Sequence, residues 1–221
     1  MFISVIFLSG GKGLRMGSEL PKQYMPLGGK PLALHSFEMF LSIKEISQIV
    51  VVADTKYHEI FEWAGPKITF AEPGEMRQDS VYNGSKEISD KSDLVLIHDG
   101  ARPFIREDDI RELITAGLEA GAAVLAKPST NTIKECEDFT VKKTLERKML
   151  WEMQTPQALK PGLLRRGFEL VKKRNMTLTD DVQLAEVLSE PVKVVRGPDT
   201  NIKITTPLDY LLAKSIHEKA L

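Results

Sequence analysis

The sequence predicts an α/β fold: a mainly parallel twisted sheet with helices on both faces and a protruding β-hairpin arm. Three observations predict it. Short β-branched runs without polar alternation recur along the chain, as in Ile49–Ala53 and Leu94–Ile97, which is the pattern of strands buried on both faces. Segments with apolar residues at helical spacing alternate with these runs. One segment, Thr132–Arg147, breaks the pattern by interspersing apolar residues with charges, and reads as a hairpin projecting from the sheet.

Phe2–Leu8 is long enough for a first buried strand, and the glycine-rich, basic stretch Ser9–Gly17 follows it directly. Leu32, Leu34, Phe37 and Leu41 space as a helix over 31–41, with Pro31 suited to its first position because the missing N–H has no intrahelical partner there. Ile49–Ala53 and Lys67–Phe70 are strands, with a short helical stretch at Tyr57–Trp63 between them. A helix over Arg77–Ile88 leads to the strand Leu94–Ile97, which ends at His98-Asp99. Asp108–Leu118 is helical and stops before Gly121, and Ala122–Ala126 is a fifth strand. Beyond the hairpin, helical spacing returns at Leu163–Lys173 and Asp181–Leu188. Val192–Val195 and Ile202–Thr205 read as late strands, and Pro207–Ala220 as a closing helix. The order is Rossmann-like, and the length fits a single domain, 1–221, with 132–148 as the arm. The competing reading of the arm is a mobile surface loop.

Composition excludes several classes of function. Lys+Arg (30) and Asp+Glu (31) leave a net charge of −1, so no whole-protein basic field for nucleic acid exists, although a local basic pocket is allowed. The lone Cys136 excludes an intramolecular disulfide and a Cys-rich zinc site. His35, His58, His98 and His217 lack metal-ligand spacing and read as structural, and Trp151 reads as core. No apolar run approaches the roughly 20 residues of a membrane span. The expectation is a cytoplasmic protein with neither nucleic acid nor membrane as partner.

The chemistry is concentrated after the first strand. In Ser9-Gly10-Gly11-Lys12-Gly13-Leu14-Arg15-Met16-Gly17, Gly10, Gly11 and Gly13 allow backbone N–H groups to approach an anion closely, and Arg15 adds a planar cation suited to phosphate. Lys22 follows Pro21, which stiffens its backbone. Two cations on a loop at the carboxyl edge of a parallel sheet suit a triphosphate; the plain alternative is a strand-to-helix turn with solvated basic residues. The dinucleotide fingerprint G-x-G-x-x-G fails because Met16 stands where its last glycine belongs, and no P-loop pattern is present. An NAD(P)-binding oxidoreductase module is therefore a distant alternative.

The loop with Pro21-Lys22-Gln23-Tyr24 resembles the signature of small cytidylyltransferases. The resemblance continues through Arg77-Gln78-Asp79-Ser80-Val81, His98-Asp99-Gly100-Ala101-Arg102-Pro103, Leu150-Trp151 with Gln154-Thr155-Pro156-Gln157, Thr179-Asp180 and Asn201-Ile202-Lys203-Ile204-Thr205. Each motif is weak alone, but six in this order are specific. The closest match is the 2-C-methyl-D-erythritol 4-phosphate cytidylyltransferase family. A ribitol-5-phosphate cytidylyltransferase is the nearest alternative, and Arg147 before Leu150-Trp151 resembles the erythritol branch better. Ser9 and Gly10 depart from the usual Ala-Ala, Gly100 from an alanine and Glu75 from a common aspartate.

The resemblance implies CTP and a polyol phosphate as substrates, with Mg2+ bridging the triphosphate oxygens and held mainly by them. Attack of one anion on another requires charge neutralisation and positioning rather than a covalent nucleophile. Arg15, Lys22 and Lys203 would supply the catalytic charges. Gly74, Glu75 and Ser80 would form the base pocket, with a helix-capping role as the alternative for Ser80. Asp99 would orient acceptor hydroxyls or help hold the metal through water, with a helix N-cap as its alternative. Arg77 would brace the base loop or stay solvated. Arg102, Thr155, Thr179 and Lys203 match acceptor-contacting positions. Thr132 and Arg147, at the base of the arm, match positions that complete the acceptor-phosphate site of a second subunit. The resemblance thus implies a homodimer through the arm.

Overall fold

The side chains of residues 3–7 are all buried, as a strand in the middle of a doubly covered sheet requires. A computed structural model of the chain describes residues 1–11 and 20–219. Its elements run β1 (Ile3–Leu8), a ribbon of β2 (Pro26–Leu27) and β3 (Lys30–Pro31), α1 (Leu32–Ser42), β4 (Ile46–Val52), α2 (Glu59–Glu62), β5 (Ile68–Ala71) and α3 (Arg77–Lys86). They continue with β6 (Leu94–Asp99), α4 (Glu107–Ala120), β7 (Ala122–Pro128), β8 (Lys134–Glu137), β9 (Thr140–Thr144), β10 (Trp151–Leu159), α5 (Pro161–Arg174), α6 (Gln183–Glu186), β11 (Lys193–Arg196) and α7 (Pro207–Lys219).

Seven strands form one sheet in the order β11-β7-β10-β6-β1-β4-β5. All pairs are parallel except those of β10, which runs antiparallel to both β6 and β7. Alternation along β1 divides the core. Ile3, Val5 and Phe7 pack with Phe37 and Phe40 of α1 and Ile110 and Leu113 of α4. Ile6 points to the opposite face, with Val81 of α3 and Leu164, Phe168 and Val171 of α5. Phe7 makes edge-to-face contacts with Phe37, Phe40 and Phe61 at centroid distances of 5.6, 6.4 and 6.1 Å. A third, smaller cluster joins Leu27, Leu32, Ile204 and Ala213, which seats α7 against the β2–β3 ribbon.

The helix ends follow from local chemistry. Three acidic residues, Glu107, Asp108 and Asp109, occupy the first turn of α4, where the helix dipole favours them. Gly121 stops that helix with φ +90°, a conformation L side chains avoid. The basic run Lys172-Lys173-Arg174 closes α5 before Asn175 in the left-handed region. Pro31 sits one residue before α1 rather than in its first turn.

Several expectations are corrected. Ile202–Thr205 is not a strand; Ile204 donates its N–H to the Ala101 carbonyl at 2.9 Å and buries its side chain in the third cluster. The strand that reading lacks is β10, whose Pro156 and four polar side chains (Glu152, Gln154, Thr155 and Gln157) argue against a central strand. The β10–β7 ladder shifts register between Met153 and Gln157, and the proline lies within that shift. Trp151 is consequently not core but 37% exposed at the start of β10. The second late helix is a single turn, Gln183–Glu186.

The arm is a hairpin, not a loop. β8 and β9 pair only with each other, and all their side chains are exposed. Its turn falls on Asp138-Phe139, both with positive φ, which matches the twist of a two-residue hairpin connection.

Candidate active site

The chain leaves β1 for β4 and β5 on one side and later returns to β6 on the other. This arrangement opens a crevice at the carboxyl end of β1. A cavity of about 910 Å³ occupies that crevice. Gly10 and Gly11 enter it directly from β1, and Lys22 reaches it from the following turn. The start of the glycine loop is fastened from behind. Gln23, only 3% exposed, donates from Nε2 to the carbonyls of Ser9 (2.7 Å) and Gly11 (2.8 Å). The Tyr24 hydroxyl donates to the same Ser9 carbonyl at 2.8 Å. Burial pushes that phenol above its usual range, so it stays a donor. Gly13 and Arg15 lie outside the described residues.

The opposite wall is the turn between β5 and α3. The Gly74 N–H donates to Ser80 Oγ at 3.0 Å, and the Ser80 hydroxyl donates to the Met76 carbonyl at 3.3 Å. Asp79 accepts the Met76 N–H at 3.0 Å, so Asp79 caps α3 while Ser80 staples the turn. Gly74 has to be glycine, since a Cβ there would lie 2.2 Å from the Cβ of Asp79.

Between the walls lies a network of four charges. Asp99, 6% exposed, accepts from Arg77 Nε at 2.9 Å on one oxygen and from Lys203 Nζ at 2.6 Å on the other. Arg77 also grips Asp181 with both terminal nitrogens, at 2.7 and 2.8 Å. Two cations and two carboxylates balance, which is what allows them to be this buried. Burial alone would push the Asp99 carboxyl up, but Arg77 and Lys203 beside it hold it well below the usual carboxylate range. Burial opposes the Arg77 charge as well, and Asp99 and Asp181 outweigh it. Asp99 is thus an ion-pair centre and not a helix cap, and Arg77 is a brace and not a solvated cation.

Behind Asp99, the His98 Nε2 lies 3.1 Å from the Arg102 carbonyl, an acceptor only, so Nε2 carries the proton. Its Nδ1 then accepts from the Thr155 hydroxyl at 3.3 Å, and that hydroxyl oxygen accepts the Asp99 N–H at 3.1 Å. Arg102 is itself held by the Asn201 carbonyl at 2.7 Å, and Asn201 donates to the Thr155 carbonyl at 2.9 Å.

The structure therefore brings together Gly10, Gly11, Lys22, Gly74, Glu75, Ser80, Asp99 and Lys203 around one cavity. Arg102 and Thr155 lie behind Asp99 rather than in the wall. Thr179 is exposed on the loop before α6, where its N–H donates to Gln183. Thr132 and Arg147 are exposed at the base of the arm, with Arg147 donating to the Thr130 carbonyl at 3.2 Å. Gln23 and Tyr24 lie within a motif that by itself assigns them no task, and nothing in the sequence marks Asp181 as part of the site. Among the described residues, no group of three or more His, Cys, Asp or Glu is placed to hold a metal ion.

An open α/β sheet whose crevice gathers the start of a glycine loop, two lysines and the turn before α3 has the architecture of a nucleotide-binding site. A family model for 2-C-methyl-D-erythritol 4-phosphate cytidylyltransferase matches residues 3–219. The chloroplastic enzyme of that name from Oryza sativa subsp. japonica is 50% identical over 219 residues, 97% of this chain and 74% of that one. The Chlamydia abortus enzyme is 45% identical over 213 residues, 96% of this chain and 95% of its own. The crystal structure of 4-diphosphocytidyl-2C-methyl-D-erythritol synthase from Anaerococcus prevotii superposes with a TM-score of 0.88 at 32% identity, covering 98% of this chain and 96% of that one. The chain belongs to the 2-C-methyl-D-erythritol 4-phosphate cytidylyltransferase family.

Proposed function

We infer that the chain transfers the cytidylyl group of CTP to 2-C-methyl-D-erythritol 4-phosphate, giving 4-diphosphocytidyl-2-C-methyl-D-erythritol and pyrophosphate, a step of isoprenoid precursor biosynthesis. One observation carries the reading: Lys22 and Lys203 share a cavity with the glycine-loop start and with Gly74, Glu75 and Ser80. An acceptor phosphate oxygen attacks the α-phosphorus, the bond to the β-phosphate bridging oxygen breaks, and the electron pair leaves on pyrophosphate. Both reactants are anions, so preorganised cations provide the catalysis. Lys22 and Arg15 neutralise the triphosphate. Lys203 exchanges one Asp99 oxygen for phosphate oxygens, while Arg77 keeps Asp99 charged and in place. The released carboxylate oxygen can then accept an acceptor hydroxyl.

The triphosphate oxygens would hold Mg2+, since phosphates bind it more readily than a protein cage does. Asp99 is the buried carboxylate of the cavity and fits a role through bound water. The ion would supply further charge neutralisation at the triphosphate. The arm joins two subunits and places Thr132 and Arg147 at the acceptor phosphate of the partner site. In support, Phe139 is 108% exposed at the arm's tip, with Val141 and Met149 also exposed, a surface expected to be covered. No described helix is long and apolar enough to cross a membrane. The free, exposed Cys136 suits a reducing compartment, and we place the enzyme in the cytoplasm.

The test is pyrophosphate release from CTP and Mg2+ with methylerythritol phosphate or ribitol phosphate as acceptor. Turnover is expected with the first. Folded protein that releases none, or that prefers ribitol phosphate, overturns the reading.

A further inference from the structure

The glycine loop and the base-side turn come from different parts of the chain, yet they meet at one point. A Cβ built on Gly10 would lie 2.5 Å from Pro73 Cβ and 2.7 Å from Pro73 Cγ. Real Cβ atoms do not approach that closely, and a proline ring has no rotamer by which to move aside. Neither partner can retreat easily. Gly10 is tied through its neighbour, since the Ser9 N–H donates to the Val52 carbonyl at 2.8 Å and the Ser9 carbonyl takes Gln23 and Tyr24. Pro73 is tied on both flanks. Asn83 donates to the Glu72 carbonyl at 3.0 Å, and Gly74 is stapled to Ser80. Both residues line the cavity, one on the side assigned to phosphate and the other on the side assigned to the base.

We propose that the Pro73–Gly10 contact is a gauge that sets the separation of the phosphate side from the base side of the nucleotide site. Pro73 is then a specificity-determining positioning residue. The proposal rests on the CTP reading above. The missing side chain at 10 lets the proline ring reach the loop, and the ring in turn stops the two walls from closing further. A fixed separation favours one size of base over another, which is how the contact would act on CTP against ATP. Gly10→Ala wedges the walls apart and Pro73→Gly removes the stop that fixes their separation, so both changes act on nucleotide binding before they act on the acceptor.

The experiment is a reciprocal rescue on the full chain, with KM for CTP, KM for the acceptor, kcat and melting temperature measured for every variant. Gly10→Ala is expected to raise the CTP KM by about tenfold, the size of an overpacking penalty, with the acceptor KM unchanged. Gly10→Ala with Pro73→Gly is expected to return the CTP KM to within about threefold of wild type, since both atoms that meet the new Cβ are gone. Gly10→Ala with Pro73→Ala is expected not to rescue, because the closest contact, Cβ to Cβ, remains. Pro73→Gly alone only removes atoms and so reads out even if Gly10→Ala fails to fold. It is expected to narrow the preference for CTP over ATP by about tenfold. An unchanged CTP KM in Gly10→Ala, rescue by Pro73→Ala as full as by Pro73→Gly, or an unaltered CTP-over-ATP ratio in Pro73→Gly each overturns the gauge. A wild-type protein that does not turn over CTP would instead overturn the reading on which it stands.

Discussion

Acid should weaken this fold well before it protonates the carboxylates, and the cause is His98. The imidazole is fully buried beside Phe7 and Phe40, with its two nitrogens committed to the Arg102 carbonyl and the Thr155 hydroxyl. Burial pushes its pKa down from 6.5 to about 3. A depressed pKa on a base means that the unfolded chain binds a proton the folded chain refuses, so stability falls as pH drops below about 6.5 and keeps falling to the folded pKa near 3. Between pH 7.5 and pH 5, linkage with these two values gives a loss of about 2 kcal/mol from this residue. With an m-value of about 2 kcal/mol per molar for a chain of this size, the urea midpoint should move down by about 1 M. His35 is also pushed down by burial and acts in the same direction, so the comparison requires a variant. His98→Gln, whatever its absolute stability, should lose most of the slope between pH 7.5 and 5. A wild-type midpoint that does not move over this range, or an equal slope in His98→Gln, would refute the reasoning.

Other expectations are equally direct. Lys22→Ala should lower kcat by about 10²–10³-fold, as for loss of one preorganised charge stabiliser, and wild-type turnover in steady-state assays would reject that role. Asp181→Asn should destabilise the fold by about 2–3 kcal/mol in urea titrations, below the usual cost of breaking a buried pair because Arg77 is 31% exposed. A change under about 0.5 kcal/mol would show that Arg77 does not depend on Asp181. Arg147→Ala should mainly raise the acceptor KM and be complemented by Lys22→Ala in mixed dimers. Verified heterodimers without recovered activity would mean that each site is built from one chain.

The parts of the site legible in the sequence are those whose chemistry is local. Gly10 and Gly11 follow a buried strand, Lys22 follows Pro21, and Gly74 precedes a helix start, so short windows of sequence place each of them at the edge of the sheet. The same holds for the strands buried on both faces, whose apolar runs need no partner to be recognised. Asp181 lies 104 residues from Arg77, and nothing in either neighbourhood encodes the pair. β10 was hidden for a related reason. Its proline and glutamines contradict a central strand when read alone, and become acceptable once the sheet absorbs a register shift and Gln157 finds the Asp181 and Val182 N–H groups at 2.8 and 2.9 Å. A polar residue in a strand is costly only while its partner is unknown. In β10, the residues that obscured the strand are the ones that wire it to the site. Thr155 supports the Asp99 N–H and His98, and Gln157 holds the backbone that presents Asp181 to Arg77. The local rules thus failed where the fold trades strand regularity for the hydrogen bonds that position its charged centre.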